Sequence, residues 1–114
     1  MPGKQDAATS NRYASMFSAI GAGARLRIMR LLLSAHPQGM VVGEIAGELG
    51  TSGSTLSHHL EKLKARDLVK VQREGTYLWY SANTQTLQAL LGFLYAECCT
   101  RNKAVEPKKI VRCK

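Results

Sequence analysis

The stretch that most restricts how this chain can fold is residues 51–63, Thr51-Ser-Gly-Ser-Thr-Leu-Ser-His-His-Leu-Glu-Lys-Leu. Leu56, Leu60 and Leu63 recur at i, i+4 and i+7, which draws one apolar stripe along a helix and leaves Ser54, Thr55, Ser57 and His58 facing outward. Ser52 stands where an N-cap belongs, and Gly50 stands where a preceding helix would stop. Upstream, Val42, Ile45, Ala46 and Leu49 follow the same period over a shorter span. Two short amphipathic helices joined by a glycine-containing turn describe a helix-turn-helix, and they equally describe an ordinary helical hairpin until their context decides.

The residues that follow supply context. Leu68, Val69 and Val71 lead to Gln72, Arg73, Glu74, Gly75 and Thr76, and then to Tyr77, Leu78, Trp79 and Tyr80. Two β-prone runs about a Glu-Gly turn predict a hairpin with Arg73 at its tip, and a helix-turn-helix followed at once by a hairpin is a winged helix. The outward face of the second helix is short, polar and uncharged, so it can approach base edges or phosphate oxygens closely. The candidate DNA contacts are therefore Ser52, Ser54, Thr55, Ser57, His58 and Lys62, with Arg73 on the wing.

Read together, Ala24-Arg-Leu-Arg-Ile-Met, Gly43-Glu-Ile-Ala, Ser54-Thr-Leu-Ser-His-His-Leu-Glu-Lys-Leu, Asp67-Leu-Val and Arg73-Glu-Gly-Thr-Tyr-Leu-Trp-Tyr resemble the ArsR/SmtB family of bacterial winged-helix repressors. The resemblance spans roughly residues 13–99. It departs at Gly21-Ala-Gly-Ala, where the family usually opens its second helix with an Asp-Pro-Thr-like sequence. It implies a mainly α fold with a small β-hairpin, in the order α-α-α-α-β-β-α, assembled as a homodimer.

A chain of 114 residues is one small domain with a modest core. We expect a flexible segment over residues 1–10, a DNA-binding and dimerisation domain over 11–100, and a basic tail over 101–114 that carries Cys113. Sixteen Lys and Arg against eight Asp and Glu make the chain +8, which favours a polyanionic partner. Much of that charge is local, because the tail holds six of the cations and one acid. No run approaches the ~20 apolar residues of a membrane span, and the N-terminus has no signal-peptide pattern, so a cytoplasmic location without membrane association is expected. Three cysteines do not form a disulfide framework.

Tyr13, Met16, Phe17 and Ile20 mark a first helix, and Leu26, Ile28, Met29, Leu31, Leu32 and Leu33 mark a second that is apolar around most of its circumference. Arg25, Arg27 and Arg30 on that helix read as solvated or phosphate-facing charges. A last helix should run from Asn83 or Thr84 to about Cys99, apolar on two opposite sides through Leu87, Leu90, Leu91 and Leu94, and through Ala89, Phe93 and Ala96. Such a helix needs cover on both sides, most simply from a second copy, so the first and last helices should form a twofold dimer. Two recognition helices would then sit about one DNA turn apart (~34 Å), and the double-stranded operator should be an inverted repeat.

Cys98 and Cys99 are adjacent, and Cys113 is the second-to-last residue. Thiolates select soft metals and metalloids, and trivalent arsenic or antimony suits three sulfurs better than tetrahedral zinc does. The candidate effector site is therefore Cys98, Cys99 and Cys113, binding As(III) or Sb(III), with no cofactor required. Neighbours on a regular helix point about 100° apart, so both sulfurs converge only if the helix ends there. Nearby cations should lower the thiol pKa values slightly against the opposing helix dipole. Cys98 also continues the apolar stripe and would serve as a small core residue. The resemblance favours sensing: some family members place arsenic on cysteines near the end of the last helix. The Cys-Val-Cys of other arsenic-responsive members is replaced here by Val42-Gly43-Glu44, and residues 84–99 lack the Asp and His of the interface zinc site. The sequence thus points to a repressor released by a trivalent metalloid, with a thiol-redox repressor and an effector-free architectural nucleic-acid-binding protein as alternatives. An enzyme is disfavoured, since Ser57 and His58 are helical neighbours that do not face each other.

Overall fold

Leu56, Leu60 and Leu63 lie at zero exposure, and the rest of the amino-terminal unit is built around them. The computed structural model describes residues 7–101. Its elements are α1 (Ala7–Ile20), α2 (Gly23–Ser34), β1 (Met40–Val41), α3 (Val42–Leu49), α4 (Gly53–Ala65), β2 (Val69–Glu74), β3 (Tyr77–Ala82) and α5 (Thr84–Tyr95). They fall into two compact units divided between Asn83 and Thr84. In the first, α2, α3 and α4 pack together, α1 lies on α2 and α4, and the sheet packs on α2 through β3 and on α4 through β2. Ile28, Leu32, Ile45 and Leu68 join the three leucines as the fully buried core. Each such side chain contributes roughly 1.5–3 kcal/mol on leaving water.

The expected winged helix-turn-helix is present, with one strand more than the sequence suggested. The residues before α3 form β1, which pairs antiparallel with β3 through Met40 and Tyr80 and through Val41 and Trp79. The sheet is therefore three-stranded, in the order β1-β3-β2. Two residues are too short for a periodic signal, so this strand was invisible to pattern reading. The hairpin closes through Gly75 and Thr76, between the paired Glu74 and Tyr77. Its positive φ falls on Gly75 alone, the sign pattern of a type II′ turn. Arg73 accordingly sits one residue back from the strand end, opposite Leu78, and not at the tip.

Other boundaries moved. α1 opens at Ala7, so residues 7–10 of the segment expected to be flexible are helical. In α2, Leu26 and Leu33 are 46% and 41% exposed, so its buried face is narrower than the run of leucines implied. The last helix stops at Tyr95, with turns over residues 96–101 where helix to Cys99 was expected. Cys113 and the rest of the basic tail after Arg101 lie outside the described residues.

Two backbone devices hold the wing to α4. The helix ends in a Schellman motif: the Leu68 N–H donates to the Leu63 carbonyl at 3.0 Å and the Asp67 N–H to that of Lys64 at 2.9 Å. The left-handed position is filled by Asp67, at φ 62°, in place of the usual glycine. The buried Asn83 secures it, its Nδ2 donating 3.0 Å to the Asp67 carbonyl and its N–H 2.9 Å to that of Leu68. On the opposite edge of the sheet, just before β1, Gly39 is buried at φ +85°, and a Cβ there would stand 2.1 Å from the Tyr80 carbonyl oxygen. Both the conformation and the space exclude a side chain. Gly39→Ala should therefore lower stability by about 1–3 kcal/mol or more, read as a reduced urea midpoint, whereas Gly47→Ala, in open space on α3, should not.

Candidate nucleic-acid interface and thiol pair

α4 is presented by local rules that the residues before it obey. Gly50 ends α3 in the left-handed conformation, its N–H donating to the Ala46 carbonyl at 2.8 Å. Ser52 then caps α4: its Oγ accepts from the Thr55 N–H at 3.3 Å and donates to Thr55 Oγ1 at 3.0 Å. Ser52 and Thr55 are thus occupied with each other at the helix start. Ser54, Ser57, His58 and Lys62 are exposed as expected, and so is Arg73 on β2. The helix-turn-helix face and wing therefore carry all seven proposed contacts on one unit.

Glu61 was missed. It is exposed, and at about 3.6 residues per turn it shares the outward side with Ser54, His58 and Lys62. Its charge reaches the wing: burial first, then the Glu61 carboxylate, hold the Tyr80 phenol above its usual range. The helical period alone would have placed Glu61 on that face. Tyr77, 62% exposed beside the hairpin turn, was likewise read only as a strand residue.

The arginines of α2 are more committed than their sequence suggested. Arg25 Nε donates 2.6 Å to the Ala19 carbonyl at the end of α1, and its Nη1 lies 3.4 Å from His59 Nδ1 on α4. Arg27 Nη2 donates 3.3 Å to the Leu49 carbonyl at the end of α3. These two side chains fasten α2 to the helices around it; Arg27 and Arg30 are both exposed, and Arg25 is the partly buried one. The His59 imidazole is held below its ordinary range by burial, then by Arg25, His58 and Lys62, so it is neutral and can accept from Arg25.

In the second unit, Cys98 and Cys99 lie in the turns after α5 and are partly exposed. Cys99 takes a left-handed backbone, φ 60°, and the two sulfurs stand 3.2 Å apart. Convergence required the helix to end before them, and it does. The expected thiol acidification is reversed at Cys98, which is pushed above its ordinary value by the hydrogen bond with Cys99, then burial, then the Cys99 charge. Cys99 also lines an open concavity of about 410 Å³ with Glu97, Thr100 and Arg101. Among the described residues no three His, Cys, Asp or Glu side chains gather as a metal site. No helix among them is long and apolar enough to cross a membrane.

A family model described as a helix-turn-helix domain matches residues 20–72. The chain is 35% identical over 99 residues to the nodulation protein NolR of Rhizobium meliloti, covering 87% of this chain and 79% of NolR. It is 32% identical over 80 residues to the transcriptional repressor SdpR of Bacillus subtilis, 70% of this chain and 86% of SdpR. Among solved structures, the homodimeric winged helix-turn-helix DNA-binding domain of a possible ArsR-family regulator from Mycobacterium bovis superposes with a TM-score of 0.65 at 30% identity. That match covers 93% of this chain and 100% of the other.

The His59 contact has a pH signature. A lowered folded-state pKa means that the unfolded chain binds the proton first, so this contribution is complete above about 6.5 and is lost as pH falls below it. Melting temperature should therefore drop between pH 7 and pH 5 more steeply in the wild type than in His59→Gln, which cannot titrate. Parallel pH profiles for the two proteins would show that this contact carries no such linkage.

Proposed function

The chain belongs to the ArsR/SmtB family of winged-helix transcriptional regulators, and from that premise we propose a homodimeric repressor that leaves its inverted-repeat operator when trivalent arsenic or antimony binds its thiols. The observation that carries the effector reading is the 3.2 Å separation of the Cys98 and Cys99 sulfurs beyond the end of α5. Two sulfurs already side by side form one edge of a pyramidal metalloid site, and Cys113 supplies the third. The repressor reading is supported by the likeness to SdpR, and the dimer by the Mycobacterium bovis domain and by Leu91 and Leu94, 40% and 57% exposed on α5.

The raised Cys98 pKa favours a metalloid hydroxide over a divalent cation. A divalent cation binds thiolates, so the Cys98 proton must first be driven off against its hydrogen bond. Arsenous acid condenses with the thiols themselves: each As–O bond exchanged for As–S sends the thiol proton away in a water molecule. No oxidation state changes, and no free thiolate need accumulate. The same raised pKa disfavours a peroxide switch at Cys98, because the nucleophile in thiol oxidation is the thiolate.

On DNA, α4 enters the major groove, Ser54, Ser57 and His58 meet base edges, and Lys62 and Arg73 meet phosphates. Replacing His58 with Ala should cost about 1–3 kcal/mol on the operator with little change on unrelated duplex. Equal losses on both would mark an architectural binder instead. Cys98→Ser and Cys99→Ser should keep wild-type operator affinity yet remain bound at arsenite concentrations that free the wild type, followed by fluorescence anisotropy under reducing conditions. Full release of either variant by arsenite overturns the effector assignment.

A further inference from the structure

The concavity between α1, α2 and α4 collects positive charge that the DNA-reading face accounts for only at Lys62. It measures about 310 Å³ and is lined by Ser15, Ser18, Ala19, Arg25, Lys62, Ala65 and Arg66. Three cations line it and no carboxylate does. All three helices belong to the first unit and pack on one another, so the cleft is a feature of one body.

Its donors are not equivalent. Ser15 Oγ already donates 2.7 Å to the Arg12 carbonyl, and Arg25 spends Nε on Ala19 and directs Nη1 at His59. Those bonds fix the Arg25 guanidinium at the base of the cleft while leaving Nη2 uncommitted among the described residues. Ser18, Lys62 and Arg66 make no side-chain hydrogen bond to another described residue. A hydroxyl and three cationic groups thus surround one space with donors in excess and acceptors lacking. Gathering like charges in a cleft is unfavourable unless an anion joins them.

We propose that this cleft is a phosphate-binding site, which takes a phosphate group either of the duplex backbone or of a free phosphate. A tetrahedral dianion offers several acceptor oxygens, matching donors that converge from three helices, and charge-assisted bonds to guanidinium are the strongest of the kind. The volume accommodates the anion with residual water. The duplex alternative rests on α4 entering DNA as proposed above, since Lys62 lies on both the outward face and the cleft. The free-phosphate alternative does not need that reading.

The test uses the full chain, Arg66→Gln and Ser18→Ala, both at exposed positions. Inorganic phosphate is titrated against sodium chloride of equal ionic strength, reading melting temperature and the His59 imidazole resonance. Separately, the salt dependence of binding to a short duplex of arbitrary sequence is measured. A saturable, phosphate-specific rise in melting temperature with an upward shift of the His59 titration, weakened roughly tenfold in either variant, establishes a free-phosphate site. Absence of that rise, with the log–log salt slope reduced by about 1 in Arg66→Gln and duplex affinity weakened in Ser18→Ala, assigns the cleft to the backbone. The proposal is overturned if neither occurs, or if only Arg66→Gln matters on DNA, which would mark general surface attraction. Should the protein bind no duplex at all, the function proposed above fails, while the phosphate titration still decides the cleft.

Discussion

The burial of one stripe of α4 is the constraint from which the rest of the first unit follows. Leu56, Leu60 and Leu63 are fully buried against a core that includes Ile28, Leu32, Ile45 and Leu68. A stripe buried that completely fixes the rotation of the helix about its own axis. Ser54, Ser57, His58, Glu61 and Lys62 therefore face outward because the leucines face inward, with no choice left to the polar residues themselves. Capping does the remaining work along the axis. Ser52 sets where the helix begins, and the Schellman turn at Asp67 sets where the chain leaves for β2. A reading surface needs both rotation and register, and here one comes from packing and the other from hydrogen bonds.

Charge on that helix is arranged by the same geometry. The side toward α1 and α2 gathers Lys62, Arg66 and Arg25, and the neutral His59 sits beside Arg25 as an acceptor. A second cation at His59 would face Arg25 and Lys62 across a partly dry contact, which is why its proton is shed early. Glu61 breaks the positive field on the outward side. A carboxylate there repels phosphate and accepts only from donors, so on the proposed DNA reading it would favour discrimination among bases over overall affinity.

What could be read beforehand tracks the range of the interactions involved. The leucine spacing, the serine cap and the glycine stop are local rules, and each held in the structure at the residue expected. β1 was not legible, since two residues become a strand only when β3 arrives beside them. The commitments of Arg25 were not legible for a related reason: its partners, Ala19 and His59, lie six and thirty-four residues away, and nothing local reveals a guanidinium aimed at both. The thiol pair lay between these cases. Its convergence was conditional on a helix end, and the stop of α5 at Tyr95 satisfies that condition. The direction of the Cys98 pKa was missed because near neighbours outweigh more distant cations: the Cys99 thiol at 3.2 Å decides it.

That proximity has a consequence for how a metalloid could switch the protein. A ligand shifts an equilibrium only by the difference in its affinity for the two states, and reversing a 1:99 preference requires about 10⁴-fold. Where α5 ends before Cys98 in both states of the proposed dimer, the two sulfurs keep their 3.2 Å spacing in each. They supply affinity in both states and discrimination in neither. On the proposed reading, the difference must then come from the third sulfur. Bringing Cys113 to the pair closes a loop over residues 100–112, at an entropic cost of roughly 2–3 kcal/mol, and a third As–S bond forms only where that segment is free to close. The adjacent thiols would then capture the metalloid, and the distant one would make its capture count.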